Sequence, residues 1–124
     1  MVHFDTNFLI AVADVRSFER SLLNRWTREG QRVGASAIAW AEFLCGPLLP
    51  GAASIVRSVI GEPVAFTAAD AAHAAELYNS TGRRRGSLND CMIAAIALRS
   101  DAAVATKDAA HFRRFASLGL RIAE

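Results

Sequence analysis

Short apolar runs alternate with helix-like segments along the whole chain, and this alternation restricts the possible folds more than any other feature of the sequence. The runs are three or four residues long, and the segments between them carry apolar residues at helical spacing. Such alternation predicts an α/β domain with a mostly parallel sheet and helices on both faces. We expect five strands, at residues 2–4, 32–35, 63–66, 103–106 and 120–123.

The predicted helices begin and end at recognisable signals. The segment 17–29 stops at Gly30, and Ser36 is a suitable N-cap for a helix that Gly46 and Pro47 close after Cys45. The segment 87–99 has the most regular apolar side. Further helices are expected from Asn7 onward and at 54–60, 67–78 and 109–115.

The chain has 124 residues, which fits one domain spanning residues 1–124. Its hydrophobic fraction of 52% excludes a disordered chain and leaves apolar surface for a protein partner. The longest apolar stretch, 33–49, contains Glu42 near its middle, so we expect no membrane span. Without a secretory leader, and with Cys45 and Cys91 read as small buried residues of a reducing compartment, a cytoplasmic location is predicted.

Four acidic residues stand at positions that a parallel sheet brings together. Asp5 ends the first strand, Asp108 lies just past the fourth, and Asp90 opens a helix that runs back along the sheet. Ligands of such sheets bind beyond the carboxyl ends of the strands. These three acids therefore converge if the first and fourth strands are neighbours. Glu42, about 9 Å into its helix at 1.5 Å per residue, has to reach the same place with its longer side chain.

Each acid also has a purely structural explanation. Asp5 and Asp108 are possible helix caps, and Asp90 fits a capping box that begins at Ser87. Glu42 is harder to explain in this way, because its neighbours along the chain are apolar. Asp70 repeats the capping-box pattern after Thr67, and there we predict a cap alone.

Electrostatics favours a cation at this cluster. Two like charges about 4 Å apart repel by roughly 4 kcal/mol at an effective dielectric near 20, so four ionised carboxylates need protons or a metal. Oxygen ligands without His or Cys favour Mg²⁺ or Mn²⁺, and one or two such ions support phosphodiester hydrolysis. The histidines His3, His73 and His111 are expected to be structural.

Arg83, Arg84 and Arg85 form the one basic cluster, in a chain whose formal net charge is only +2. The planar guanidinium binds phosphate oxygens in a bidentate way, so the cluster is a candidate for contact with nucleic acid. A solvated loop is the alternative explanation.

Taken together, these motifs resemble the PIN-domain family and, within it, the VapC-type toxins of bacterial toxin–antitoxin pairs. Nearly the whole chain takes part in the resemblance. The matching segments are Asp5-Thr6-Asn7 with the apolar residues 8–10, Ser36 through Glu42, Asn89-Asp90 with the apolar residues 93–98, and Thr106-Lys107-Asp108 with His111-Phe112.

The resemblance implies a three-layer α/β/α domain with strand order 3-2-1-4-5 and Mg²⁺- or Mn²⁺-dependent endoribonuclease activity. It also implies a homodimer and a cognate antitoxin that occupies the acidic groove. By motif match, the catalytic metal ligands are Asp5, Glu42, Asp90 and Asp108. Thr106 supports them by hydrogen bonding, Asn7 orients Asp5, and Lys107 partly screens the site.

Two other functions remain open at this point. The first is phosphate-monoester transfer through a nucleophilic Asp5, although such sites usually have a second acid two residues on, where this chain has Asn7. The second is a non-enzymatic protein-binding module in which the acids only cap helices.

Overall fold

The structure is a computed structural model that describes residues 1–124. The chain forms three strands and seven α-helices, followed by a 3-10 turn at Ala116–Leu118. The strands are β1 (Val2–Phe4), β2 (Val33–Gly34) and β3 (Ala103–Ala105). The helices are α1 (Thr6–Val12), α2 (Phe18–Arg28), α3 (Ala37–Cys45), α4 (Ala52–Ile60), α5 (Ala68–Ser80), α6 (Leu88–Arg99) and α7 (Ala109–Arg113).

The sheet is parallel and has the order β2-β1-β3. Val2 pairs with both Val33 and Ala103, so the strand that begins the chain is central. Every residue of β1 and β3 is buried, which means that helices cover both faces, as expected for a parallel sheet. The predicted α/β class is therefore confirmed.

The prediction of five strands is wrong, and the order 3-2-1-4-5 is not confirmed. Two of the expected strands are reduced to single parallel bridges, Val64 with Ser36 and Ile122 with Val104. The first bridge cannot extend, because Ser36 is already the N-cap of α3 and its backbone leaves the sheet there. Pro63, just before Val64, also has no N–H to donate.

The helices agree with the sequence prediction to within about two residues where caps were recognised. Ser36 accepts a hydrogen bond from the Ala39 amide and begins α3 as expected. Thr67 and Asp70 form a complete capping box at the start of α5. Asp70 also forms a bidentate pair with Arg99, at 2.8 and 2.9 Å, and this guanidinium is the main cause of its lowered pKa.

An aromatic cluster attaches the first two helices to the central strand. The ring of Phe4 lies 4.7 Å from that of Phe8 and 6.3 Å from that of Trp26, centroid to centroid. Full burial of such a side chain stabilises the fold by about 1.5–3 kcal/mol. Because Asp5 directly follows Phe4, this packing also fixes the position of Asp5 at the sheet edge.

The two cysteines differ in their exposure to solvent. Cys91 is buried, but Cys45 is exposed at the end of α3, so the prediction that both are buried is wrong for Cys45.

None of the helices has both the length and the hydropathy that a membrane span needs.

Candidate active site

All four predicted acids line one cavity at the carboxyl ends of β1 and β3. This cavity, which we call the acid cleft, has a volume of about 150 Å³. Topology accounts for the convergence, because β1 and β3 are neighbours and α6 begins at the same edge. The residues that line the acid cleft are Asp5, Thr6, Asn7, Glu42, Asp90, Ile93, Asp108, His111 and Phe112.

Asp5 is both a helix cap and a member of the acid cleft. Its Oδ1 accepts a 2.8 Å hydrogen bond from the Phe8 amide, which begins α1, and the residue is only 5% exposed. Burial is the main cause of its raised pKa, which the Thr106 hydroxyl and the Phe8 amide oppose and the charges of Asp90 and Asp108 reinforce. A neighbouring cation would favour the ionised form.

Glu42 is half-buried, and two hydrogen bonds hold its carboxylate. The Thr6 hydroxyl donates to Oε1 at 2.8 Å, and the Asn89 side-chain amide donates to Oε2 at 2.9 Å. Its neighbours along the chain are apolar, but its side chain reaches a polar cleft. The Glu42 side chain is therefore long enough to reach the acid cleft, as predicted. The two residues that donate hydrogen bonds to its carboxylate were not predicted.

The structure does not support a capping role for Asp90. Ser87 makes no side-chain cap for α6, and its hydroxyl donates instead to the Arg84 carbonyl at 2.6 Å. Burial raises the pKa of Asp90 most, Arg114 and His111 lower it, and Glu42 and Asp108 raise it further. Repulsion within the acid cleft is therefore expressed at both Asp5 and Asp90.

Asp108 stands at the start of α7 without a side-chain cap, so the capping explanation fails here as well. The Thr106 hydroxyl accepts a 2.9 Å hydrogen bond from the Asp108 amide and shapes the turn between β3 and α7. Lys107 Nζ lies 4.0 Å from Glu19 Oε1, and Lys107 makes no ion pair with Asp108. Asn7 lines the cleft but makes no hydrogen bond to Asp5.

Two basic residues of the site were missed by sequence reasoning. His111 Nε2 lies 3.2 Å from Asp108 Oδ2, and its Nδ1 lies 4.0 Å from Asp90 Oδ2. Arg114 Nη2 lies 3.6 Å from Asp90 Oδ2, and its guanidinium stacks 4.6 Å above the Phe115 ring. The spacing of Asp108 and His111, three residues apart at a helix start, was the available signal for His111. Nothing in the local sequence distinguishes Arg114 from Arg113.

The acid cleft suits a hard divalent cation, because its four candidate ligands all offer carboxylate oxygens. As placed, however, no three His, Cys, Asp or Glu side chains stand close enough to hold a metal ion. The contacts above explain this, since Glu42 is held by Thr6 and Asn89 while Asp90 and Asp108 face His111 and Arg114. Binding would require carboxylates to rotate toward a common centre.

The three consecutive arginines divide into two groups. Arg83 has a left-handed backbone (φ 52°) and donates from Nε to the Asn79 side chain at 3.0 Å. Arg84 and Arg85 line a second cavity of about 90 Å³, which we call the arginine cleft. Its complete lining is Arg84, Arg85, Gly86, Ser87, Asp90, His111 and Arg114.

The sequence model of the PIN domain family matches residues 2–118 of this chain. No curated protein matches it in a sequence search. In fold, the chain is similar to a chain of VapBC2 from Rickettsia felis bound to a DNA fragment from its promoter, with 20% identity, a TM-score of 0.77 and coverage of 99% of this chain and 98% of that chain. It is also similar to a chain of FitAB bound to the IR36 DNA fragment, with 20% identity, a TM-score of 0.71 and coverage of 99% of this chain and 94% of that chain. A chain of FitAcB from Neisseria gonorrhoeae is similar as well, with 21% identity, a TM-score of 0.73 and coverage of 100% of this chain and 97% of that chain.

Proposed function

This chain belongs to the PIN domain family, and from that premise we propose that it is a Mg²⁺- or Mn²⁺-dependent endoribonuclease, the toxin of a type II toxin–antitoxin pair. The observation that carries the proposal is the acid cleft, in which Asp5, Glu42, Asp90 and Asp108 line one cavity. Helix capping accounts for only one of the four, since Asp90 and Asp108 make no caps.

In this proposal the four carboxylates hold the metal. A bound divalent ion supplies activation of water and neutralisation of the charge that develops on the phosphate. The Phe8 amide and Thr106 support Asp5, while Thr6 and Asn89 donate to Glu42, so both carboxylates are oriented within the acid cleft before they rotate toward the metal. Asn7, which lines the acid cleft, is assigned a supporting role there. Arg84 and Arg85, which line the arginine cleft, are assigned to RNA binding, whereas Arg83 donates to Asn79.

An antitoxin partner and a homodimer are part of the same proposal. The similarity to chains of the VapBC2 and FitAB assemblies supports the antitoxin. Exposed apolar side chains at Ile10, Phe18 and Leu49, which are 49%, 71% and 77% exposed, supply surface for protein partners. The cytoplasm is the proposed location, where both RNA and an antitoxin are found.

The other two functions have weaker support. A nucleophilic Asp5 would need an accessible carboxylate, whereas this one is only 5% exposed and its Oδ1 accepts a hydrogen bond from the Phe8 amide. A protein-binding module without activity explains the apolar surface, but it does not explain why four acids line one cavity.

Cleavage of RNA is expected to require Mg²⁺ or Mn²⁺, because the divalent ion would activate the attacking water and neutralise the charge that develops on the phosphate. The measurement is cleavage of a total-RNA mixture by the purified chain with either metal and in excess chelator. Full cleavage in chelator would contradict the proposed chemistry. Absence of cleavage with both metals, by protein whose circular dichroism shows it folded, would contradict the nuclease assignment.

Asp5→Asn is expected to raise the stability of the metal-free protein by on the order of 1 kcal/mol. Asn caps helices as well as Asp, so the change removes a charge from the acid cleft and keeps the start of α1. Mn²⁺ at a hundredfold excess over its dissociation constant should then stabilise the wild type by about 2.7 kcal/mol and the variant much less. Thermal melting of both proteins, with Mn²⁺ and with chelator, measures this reversal.

Asp70→Asn is the matched control for that experiment. It breaks the pair with Arg99 outside the acid cleft, so it should lower stability equally with and without Mn²⁺. If Asp5→Asn behaves in the same way, then Asp5 is only a helix cap.

A further inference from the structure

The arginine cleft has strongly positive walls. Arg84 and Arg85 reach it from the loop between α5 and α6, and Arg114 reaches it from the segment after α7. Asp90 is the only acidic residue that lines it. Three guanidinium groups therefore face one carboxylate, and the excess positive charge suits an anionic ligand.

Arg114 has unused hydrogen-bond donors at this position. Its Nε and Nη2 atoms are buried and have no hydrogen-bond partner. The nearest acidic oxygen, Asp90 Oδ2, is 3.6 Å from Nη2, which is longer than a hydrogen bond. Buried donors on a charged group are costly to leave unpaired. A ligand with several acceptor oxygens, drawn toward this guanidinium, would reduce that cost.

The size and place of the cleft narrow the choice of ligand. Its volume of about 90 Å³ suits a phosphate group better than a nucleobase. Asp90 and His111 line both the arginine cleft and the acid cleft, so the two are separated by a single layer of side chains. An RNA strand whose phosphate is in the acid cleft therefore carries a neighbouring phosphate toward the arginines.

We propose that the arginine cleft is a subsite for one RNA backbone phosphate adjacent to the phosphate that is cleaved. Arg84, Arg85 and Arg114 bind its oxygens, using the planar fork that makes arginine a bidentate phosphate ligand. Arg83 has no part in the subsite, because it lies outside the cleft lining and donates to Asn79. This inference rests on the proposed function and specifies which part of the basic loop holds the substrate.

The test compares two arginine changes in the same loop. Binding of a short fluorescent single-stranded RNA is measured by anisotropy over a range of salt concentrations, in chelator, so that metal-dependent cleavage is off. The double change Arg84→Gln/Arg85→Gln is expected to weaken binding at least about tenfold. It should also flatten the slope of log K against log salt by about 0.7, the value for one phosphate on a single strand. Arg83→Gln, the matched control, should leave both quantities unchanged.

A second arm identifies the phosphate itself. Uncharged methylphosphonate linkages are placed at one position of the RNA at a time. In the wild type, one position is expected to lose affinity through the arginine cleft, and in the double variant that position should lose none. A loss that persists unchanged in the double variant, or an equal effect of Arg83→Gln, would overturn the subsite.

The subsite and the nuclease assignment fail in different ways. Wild-type protein that cleaves and binds RNA, together with a double variant that binds equally well, would refute the subsite and leave the nuclease proposal intact. Wild-type protein that neither binds nor cleaves RNA would refute both. Binding of an acidic peptide to the wild type and to the double variant is measured in the same way. If the double variant loses peptide binding but binds RNA as the wild type does, the arginine cleft is assigned to a protein partner, and the proposal is overturned.

Discussion

Asp90→Asn is expected to abolish RNA cleavage, with a loss on the order of a thousandfold or more. Asn has nearly the same shape as Asp but lacks the charge that the proposed metal requires. The fold should persist, because the Asp90 side chain caps no helix. Burial raises the pKa of Asp90, which means that the buried charge is unfavourable in the folded protein and its removal should not destabilise the fold. Asp5→Asn should lose activity to a similar extent. Initial rates on one RNA substrate, at saturating Mn²⁺, measure both changes.

Asp70→Asn is the control for loss of an acid at a helix start. Asp70 and Asp90 occupy the same position in their helices, the third residue, but Asp70 pairs with Arg99 and lies outside the acid cleft. At a temperature where the variant is folded, it should keep wild-type activity. If its rate falls as far as that of Asp90→Asn, the distinction between a structural and a catalytic acid is wrong.

Acidification is expected to destabilise the fold through His3. This residue is 1% exposed, and both of its ring nitrogens lack a hydrogen-bond partner. Burial, followed by the charges of the N-terminus and Arg99, lowers its pKa from 6.5 to about 4. The unfolded chain therefore binds a proton between these values while the folded chain does not. The stability due to neutral His3 is complete above pH 6.5, and up to about 3 kcal/mol of it is lost as the pH falls toward 4.

Urea unfolding between pH 7.5 and pH 4.5 measures this loss. In the wild type, the free energy of unfolding should fall by as much as about 1.4 kcal/mol per pH unit through this one group. His3→Leu should reduce that slope by about 1.4 kcal/mol per pH unit, the contribution of one proton, and His73→Gln on α5 is the matched control. Equal slopes in wild type and His3→Leu would show that the folded and unfolded chains bind the His3 proton equally, which would contradict the prediction.

Features encoded by neighbouring residues were predictable from the sequence. Gly30 after α2, Ser36 before α3 and the capping box at Thr67 each place a helix end, because a cap depends on a few adjacent residues. The gathering of Asp5, Asp90 and Asp108 was also predictable, since parallel strands present their carboxyl ends at one edge. The structure places all three there.

Features that depend on distant parts of the chain were not predictable. Thr6 and Asn89 donate hydrogen bonds to Glu42 from 36 and 47 residues away in the sequence, and no local sequence pattern predicts either contact. Arg114 belongs to the site only because the segment after α7 turns back toward α6. The prediction of the two edge strands, at 63–66 and 120–123, was wrong for a related reason. An apolar run forms a strand only where the backbone of the neighbouring segment stays extended beside it.

The pairing of Val2 with Ala103 has a consequence for the timing of assembly during synthesis. A ribosome makes β1 and Asp5 well before it makes β3, which pairs with the other side of β1, and Asp108 beyond it. At about 5–20 residues per second, the intervening hundred or so residues take on the order of ten seconds. Throughout that interval the four acids have no common cavity. The acid cleft therefore forms only after the segment that carries β3 and Asp108 has been made.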